Sequence, residues 1–486
     1  MDNYFATIYS LHGESAARAR SPDWSVPGQT PKTSVGPNAF AFECGTCADQ
    51  EVIPKSAQCG RGGATGCPKI GNFSGIAVVN GVGPYAFQRL YHDDSNRFTA
   101  ALAATPMKQY YEYSMDPVFL AECYTWVRDT AEFYRSFVVR NTNTGKFDIP
   151  WACGEEGCVL RNSAGTPGKT GACPKSVQER QARNPMTDLA LARMALRMAA
   201  DYATQLKRDP ELIGKWLEVA DELADYPTIL DPLTGSEVFA ESIDADRNTS
   251  VAFGCNLEEP MLYLTAVFPA EQISRRRHGN PPTAEEQRLW TIANDTLFGI
   301  GEYTRRWAMN GPWAPLNGLC QLWPPVARLI GRESSAAMLD IFTATLERVM
   351  YPNFYPHLGG GGLEQAGAVG VINEMMLTAD VRDRYLEFFA LWPHGEAAAF
   401  ESLRAKGAFV CSGSVGADGL VSDIRVVSER GGNLSFVPPG PARPGTEPRV
   451  TGPAGVPVPA ESLGGGVWRV QTEVGAEYTI HAAAGS

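Results

Sequence analysis

From residue 96 to residue 394 the chain is a run of helix-length segments with apolar side chains at helical spacing, separated by short stretches rich in Pro or Gly. Few folds accommodate that pattern. Phe98, Leu102, Met107, Tyr110 and Tyr111 mark a first helix. Asp116-Pro117 starts a second, with Phe119, Leu120, Cys123, Trp126, Val127, Ala131, Phe133 and Phe137 near helical spacing. Further helices are predicted over 185–206, 210–223, 260–268, 282–309, 316–329 and 334–350, with no fixed-period repeat. Such a succession predicts paired helices in a toroid or a solenoid. After His394 the pattern changes to short alternating segments between Gly/Pro turns, at 408–412, 421–428, 434–437, 466–472 and 477–482. These read as strands of a closing β-domain. Residues 1–95 are rich in Gly, Pro and Ser with little periodicity, so they read as irregular, with a short strand at 75–79. The expected division is 1–95, 96–395 and 396–486.

A chain of 486 residues holds two or three domains with a large core. Its net charge of −12 gives no electrostatic reason to bind nucleic acid or an anionic membrane. The one basic run, Arg275 to Arg277, is expected on a solvated turn before Pro281-Pro282. No segment approaches the roughly 20 apolar residues that span a bilayer. The first twenty residues lack the basic start and apolar centre of a secretory leader. Eleven cysteines, several of them in Gly-rich stretches, and sequons at Asn72, Asn248, Asn294 and Asn433 fit a secreted or lumenal protein as well as a cytoplasmic one. Cys44-Gly-Thr-Cys47 has a zinc-knuckle spacing, with Cys59 and Cys67 as further thiolates, but the uneven spacing fits disulfides better. Cys123 and Cys320 lie among apolar residues and read as small core side chains.

Chemistry concentrates at two places. The glycine run Gly359 to Gly362 lets the backbone approach a ligand closely, and it delivers Glu364 to the start of a helix. That helix should bury Val369, Val371, Ile372, Met375, Met376 and Leu377. A carboxylate presented this way suits acid or base catalysis, and equally a helix first turn. The second place is Trp151-Ala-Cys153-Gly-Glu155-Glu156-Gly-Cys158. Adjacent carboxylates raise each other's pKa and a neighbouring Trp desolvates them, which suits a general acid; a solvated acidic turn is the plainer alternative. A Cys153–Cys158 disulfide would pin the segment. No nucleotide-binding loop is found.

The wording from Tyr351 to Ala379 resembles the catalytic toroid of family-95 glycoside hydrolases, inverting α-L-fucosidases and α-L-galactosidases. Tyr351, Pro352, Asn353 and His357, then Gly370, Val371, Glu374, Met375 and Leu377, match that family's pattern. Leu391, Trp392 and Pro393, then Ser402 to Phe409, continue the match, which runs from about Asn96 to Gly432. Where the family has Asp-Gly-Asn, this chain has Leu363, Glu364 and Gln365, and the family's His-rich stretch has no His here between Cys255 and Pro269. The resemblance implies a mainly α protein: an (α/α)6-type toroid, complete or partial, followed by a β-sandwich-like domain. It implies a glycosidase acting on an α-L-fucosyl or related glycan. Glu364 is the expected base and Glu156 the expected acid, with Glu155 as its alternative. In an inverting enzyme the two carboxyls lie about 6.5–9.5 Å apart, leaving room for the attacking water. His357, Asn353, Trp151, Trp313 and Tyr355 are the expected sugar-binding residues, and the aromatic ones offer stacking faces. No metal or organic cofactor is called for, and the partner is an oligosaccharide or polysaccharide. Two alternatives stay open: a polysaccharide lyase using Tyr355 and His357, and a non-catalytic carbohydrate-binding protein.

Overall fold

The computed structural model describes residues 98–150, 182–244, 248–250, 253, 261–307, 313, 319–353, 364–440 and 447–482. They fall into two compact units. One holds the residues up to Lys108 together with Val118–Ala270, the other Gln109–Pro117 together with the residues from Glu271 onward.

In the first unit, α1 (Thr99–Ser114, which continues into the second unit) is followed by α2 (Pro117–Phe137). Pro117 opens α2, where its missing N–H is harmless. Phe119, Leu120, Cys123, Trp126, Val127, Phe133 and Phe137 are buried on α2, as the spacing predicts. The Trp126 indole donates to the Ala100 carbonyl at 3.0 Å, tying α2 to the start of α1. Helix α3 (Met186–Leu206) buries Met186, Leu189, Leu191, Met194, Leu196 and Met198 around its whole circumference, as a central helix must. It stops at Lys207, whose left-handed backbone lets Arg208 N–H return to the Ala203 carbonyl at 2.9 Å. The amphipathic α4 (Pro210–Glu222) buries Trp216, Val219 and Ala220. The Trp216 indole reaches Glu132 on α2 at 2.7 Å. Short strands join these helices: β1 (Val139–Arg140) with β2 (Phe147–Asp148), β4 (Thr228–Leu230) with β5 (Glu237–Phe239), and β3 (Ala182–Arg183) with β6 (Ile243–Asp244) and β7 (Thr249–Ser250). The predicted helix at 260–268 shrinks to one turn, α5 (Met261–Leu264).

In the second unit, α6 (Ala284–Trp307) begins with a capping box. Thr283 Oγ1 accepts from Glu286 N–H at 3.2 Å, and the Glu286 carboxylate accepts from Thr283 N–H at 2.7 Å. Helices α7 (Leu319–Leu329) and α8 (Arg332–Val349) pack through an edge-to-face contact of Trp323 and Phe342, ring centres 4.8 Å apart. A 3₁₀ turn, Glu364–Val369, leads into α9 (Gly370–Met376). Val371 and Met375 are buried on it as expected, but Val369 is exposed and Leu377 already begins a strand.

That strand, β8 (Leu377–Ala379), pairs with β9 (Leu386–Phe388) around a turn in which Asp380 Oδ1 accepts from the N–H groups of Arg382 and Asp383. Then come β10 (Ala398–Ala405), β11 (Phe409–Val415), β12 (Ile424–Ser428), β13 (Gly432–Phe436), β14 (Val450–Thr451), β15 (Glu461–Gly464), β16 (Val467–Thr472) and β17 (Ala476–Ile480). They form two five-stranded sheets, ordered β10-β11-β12-β17-β14 and β15-β16-β13-β9-β8. Phe400, Phe409, Ile424, Val426 and Ile480 from one sheet and Leu386, Leu434, Phe436 and Val470 from the other share one apolar core. The C-terminal part is therefore a β-sandwich.

The basic run departs from its expected place. Arg275, Arg276 and Arg277 pair with Glu333, Asp383 and Glu387, and the Arg276 side chain is only 6% exposed. Gly279 N–H then reaches the Gly465 carbonyl at 3.0 Å. The run is an internal staple within this unit, because carboxylates distant in sequence supply the charge that solvent was expected to supply.

Candidate functional site

Of the residues expected to do chemistry, Trp151, Glu155, Glu156, Tyr355 and His357 lie outside the described residues. So do the glycine run and the N-terminal cysteines. Asn353 sits exposed on the turn after α8. Among the described residues Cys123 and Cys411 are free thiols, and burial pushes both up to about 12. Both are inert packing groups.

Trp313 is seated on α6. Its indole N–H donates to the Leu297 carbonyl at 3.0 Å, its backbone N–H donates to Thr304 Oγ1 at 2.8 Å, and its ring meets Phe298 edge-on. Gly301 makes this fit, since a Cβ there would stand 2.3 Å from the indole.

Glu364 opens the 3₁₀ turn that precedes α9. The turn is fixed from both sides. Gly367 lies so close to α7 that a Cβ on it would come 3.1 Å from Cys320 Cβ. Behind it, Glu374 of α9 is gripped by Arg328 of α7 at 3.0 Å and by the Thr378 hydroxyl at 3.1 Å. Arg328 also holds Glu271 at 2.8 Å, and Lys406 bonds Glu271 at 2.6 Å and Glu112 at 3.0 Å. Two cations and three carboxylates thus form one shielded chain of ion pairs. Burial would lower the pKa of both cations; for Arg328 the charges of Glu374 and Glu271, and for Lys406 those of Glu271 and Glu112, more than reverse it, so both stay protonated. Beside them, burial and then the Glu374 charge push the Tyr113 phenol up to about 12. With every partner engaged, this network is scaffold for the turn.

In the first unit, Asn184 precedes α3 and closes onto Ile149. Its N–H donates to the Ile149 carbonyl at 3.0 Å and its side-chain oxygen accepts from Ile149 N–H at 2.7 Å. Its amide donates to Asp148 at 2.8 Å, and Asn141 donates to the other Asp148 oxygen at 2.7 Å. Asn184 takes a left-handed backbone, φ 52°, which Asn tolerates better than most residues.

Next to that clamp stands a residue the sequence reading passed over. Glu241 lies between β5 and β6, and its carbonyl accepts from Met186 N–H at 2.8 Å, at the first turn of α3. Its side chain is 8% exposed, and burial alone pushes its carboxyl from 4.5 up to about 7. Among the described residues its carboxyl has neither hydrogen bond nor ion pair. The adjacent Ser242 hydroxyl is fully buried and also lacks a partner. The only trace in the sequence is an acid following Val238-Phe239-Ala240, a pattern too common to single out. No group of three or more His, Cys, Asp or Glu among the described residues has the arrangement of a metal site. No helix among them is long and apolar enough to cross a membrane.

No protein-family model and no curated protein matches the chain. Several solved structures do. A candidate kojibiose phosphorylase from the human microbiome aligns over 85% of this chain and 54% of its own, at 9% identity and a TM-score of 0.40. The Streptomyces avermitilis α-L-rhamnosidase complexed with L-rhamnose aligns over 78% and 32%, at 15% identity and a TM-score of 0.35. The α-L-rhamnosidase from Dictyoglumus thermophilum aligns over 82% and 40%, at 12% identity and a TM-score of 0.36. The chain spans roughly a third to a half of the length of these proteins.

Proposed function

We propose that the chain cleaves a glycosidic bond by general acid–base catalysis with inversion, on an α-L-fucosyl or related glycan, using the helical region as a complete or partial (α/α)6-type toroid. The observation that carries this reading is the fixing of the turn that Glu364 opens. A catalytic base must be held within a fraction of an ångström of its working position. The Gly367–Cys320 approach and the Glu374–Arg328 pair hold the backbone of this turn from two sides. Glu374, one of the matched residues, makes that pair, and the matched Val371 and Met375 are buried on the same helix, which supports the reading.

In this reading Glu364 takes a proton from the attacking water. A protonated carboxyl gives its proton to the leaving oxygen, a role the resemblance assigns to Glu156, with Glu155 as alternative. His357, Asn353, Trp151, Trp313 and Tyr355 hold the sugar. No step needs a metal or an organic cofactor. Glu364→Gln tests the base directly. It should lower hydrolysis by a factor of about 10² to 10⁴, the usual contribution of a general base. The melting temperature should stay within about a degree of the unmodified protein, because surface and site charges of this kind contribute little to folding. Undiminished hydrolysis by the variant would move the base elsewhere.

A further inference from the structure

We propose that Thr451, His481 and Asp423 form a separate catalytic site on the β-sandwich, a nucleophile, base and acid that together cleave small acyl esters. All three lie in the second unit, and the site is independent of the glycosidase reading. The strand order brings them together. Strand β17 runs between β12 and β14, so the residue that follows it reaches both neighbours. Ile480 pairs with Ile424 on one side and with Val450 on the other. His481 therefore stands opposite Asp423, the residue before β12, and diagonal to Thr451 at the end of β14. Side chains opposite or diagonal across an antiparallel pair share one face of the sheet.

The contacts have the direction that nucleophilic catalysis needs. His481 Nδ1 lies 2.7 Å from Asp423 Oδ2, and His481 Nε2 lies 3.1 Å from the Thr451 hydroxyl oxygen. A carboxylate only accepts, so in the neutral imidazole Nδ1 carries the proton and Nε2 is left to accept. The Thr451 hydroxyl then donates to Nε2, the route by which a nucleophile loses its proton. Asp423 is itself fixed, because its other oxygen accepts from Ala482 N–H at 2.9 Å. The base is fixed as well, because His481 N–H donates to the Arg449 carbonyl at 3.0 Å. Thr451 ends an edge strand, just before the turn Pro453–Gly455, where Ala454 takes a left-handed backbone, φ 57°. Strain of that kind in a non-glycine residue gathers beside functional sites. Thr451 is 8% exposed, whereas the His481 side chain is 22% exposed. Water can reach the base, and the recessed hydroxyl suits a short acyl group such as acetyl.

The reaction balances with water alone. The Thr451 oxygen bonds to the ester carbonyl carbon as its proton moves to His481 Nε2. The bond from that carbon to the alcohol oxygen breaks, the electron pair leaves with the oxygen, and the His481 proton follows it. Water then adds to the acyl-threonine and gives a proton to Nε2. The bond from the acyl carbon to the Thr451 oxygen breaks, the proton returns to Thr451, and the carboxylic acid departs. Asp423 keeps its charge throughout and offsets the charge on the imidazolium.

The test uses the full chain and p-nitrophenyl acetate. The unmodified protein is mixed with the ester, quenched in acid and peptide-mapped by mass spectrometry. Nitrophenolate release is followed for Thr451→Val, Thr451→Ser, His481→Gln and Asp423→Asn, and each melting temperature is recorded. An acetyl group on Thr451 is expected in the quenched protein. Thr451→Val, which keeps the branched shape in β14, and His481→Gln should each lose about a hundredfold in catalysed turnover. Thr451→Ser, which keeps the hydroxyl, should restore it, and Asp423→Asn should lower it. Acetyl groups on lysines alone, with none on Thr451, overturn the assignment, and that map requires no variant to fold. Undiminished turnover by a folded Thr451→Val overturns it equally. None of these readouts uses a glycoside, so the outcome is separate from that of the glycosidase reading.

Discussion

At the scale of one residue, Glu241 gives the protein a dependence on pH that can be measured without any substrate. Its carboxyl titrates near 4.5 when the chain is unfolded and is pushed up to about 7 by burial in the folded protein. Between those values the folded state binds the extra proton, so stability falls as pH rises through the window and levels off above it. At 1.36 kcal/mol per pKa unit, the rise corresponds to about 3 kcal/mol. Glu241→Gln, neutral at every pH, should lack this fall and be more stable than the unmodified protein above pH 7 (about). Chemical denaturation at several pH values checks it; parallel curves for the two proteins would mean that Glu241 does not hold its proton. Trp313 gives a second test at this scale. Gly301→Ala would push a methyl into the indole, 2.3 Å from the Gly301 Cβ position, and should cost about 1–3 kcal/mol by the same denaturation assay.

At the scale of elements, the ion-pair chain through Glu112, Lys406, Glu271, Arg328 and Glu374 ties α1, α7, α9 and the β10–β11 turn together. Arg328→Met would leave Glu271 and Glu374 without their shared partner. It should destabilise the protein by about 3–5 kcal/mol, read as a lower denaturant midpoint. It should also reduce activity beyond that, through the turn that Glu364 opens. This network shows where sequence reading stops. Local signals were legible: Pro117 opening α2, and the alternation that marks β11, β12, β13, β16 and β17. Pairings distant in the chain were not. Leu386, in a stretch assigned to the helical region, instead pairs with Phe436, 50 residues on. Arg276 reads as a solvated charge until Asp383 is brought to it by the fold. Glu241 reads as an ordinary polar residue because burial is a property of the packed unit and leaves no mark on its neighbours in sequence. The turn that begins at Glu364 was legible because a helix start is a local feature.

At the scale of the whole molecule, helices are followed in the chain by a β-sandwich, and the proposed chemistry belongs to carboxyl groups. An inverting mechanism has a stereochemical signature that no binding protein and no lyase shares. A lyase leaves an unsaturated sugar, and a binding protein leaves the glycan intact. The most direct measurement is proton NMR of the first sugar released when the unmodified protein is mixed with an α-L-fucoside. Free β-L-fucose is expected first, followed by slow mutarotation toward the equilibrium mixture of anomers. Release of α-L-fucose first, an unsaturated product, or no release at all would contradict it.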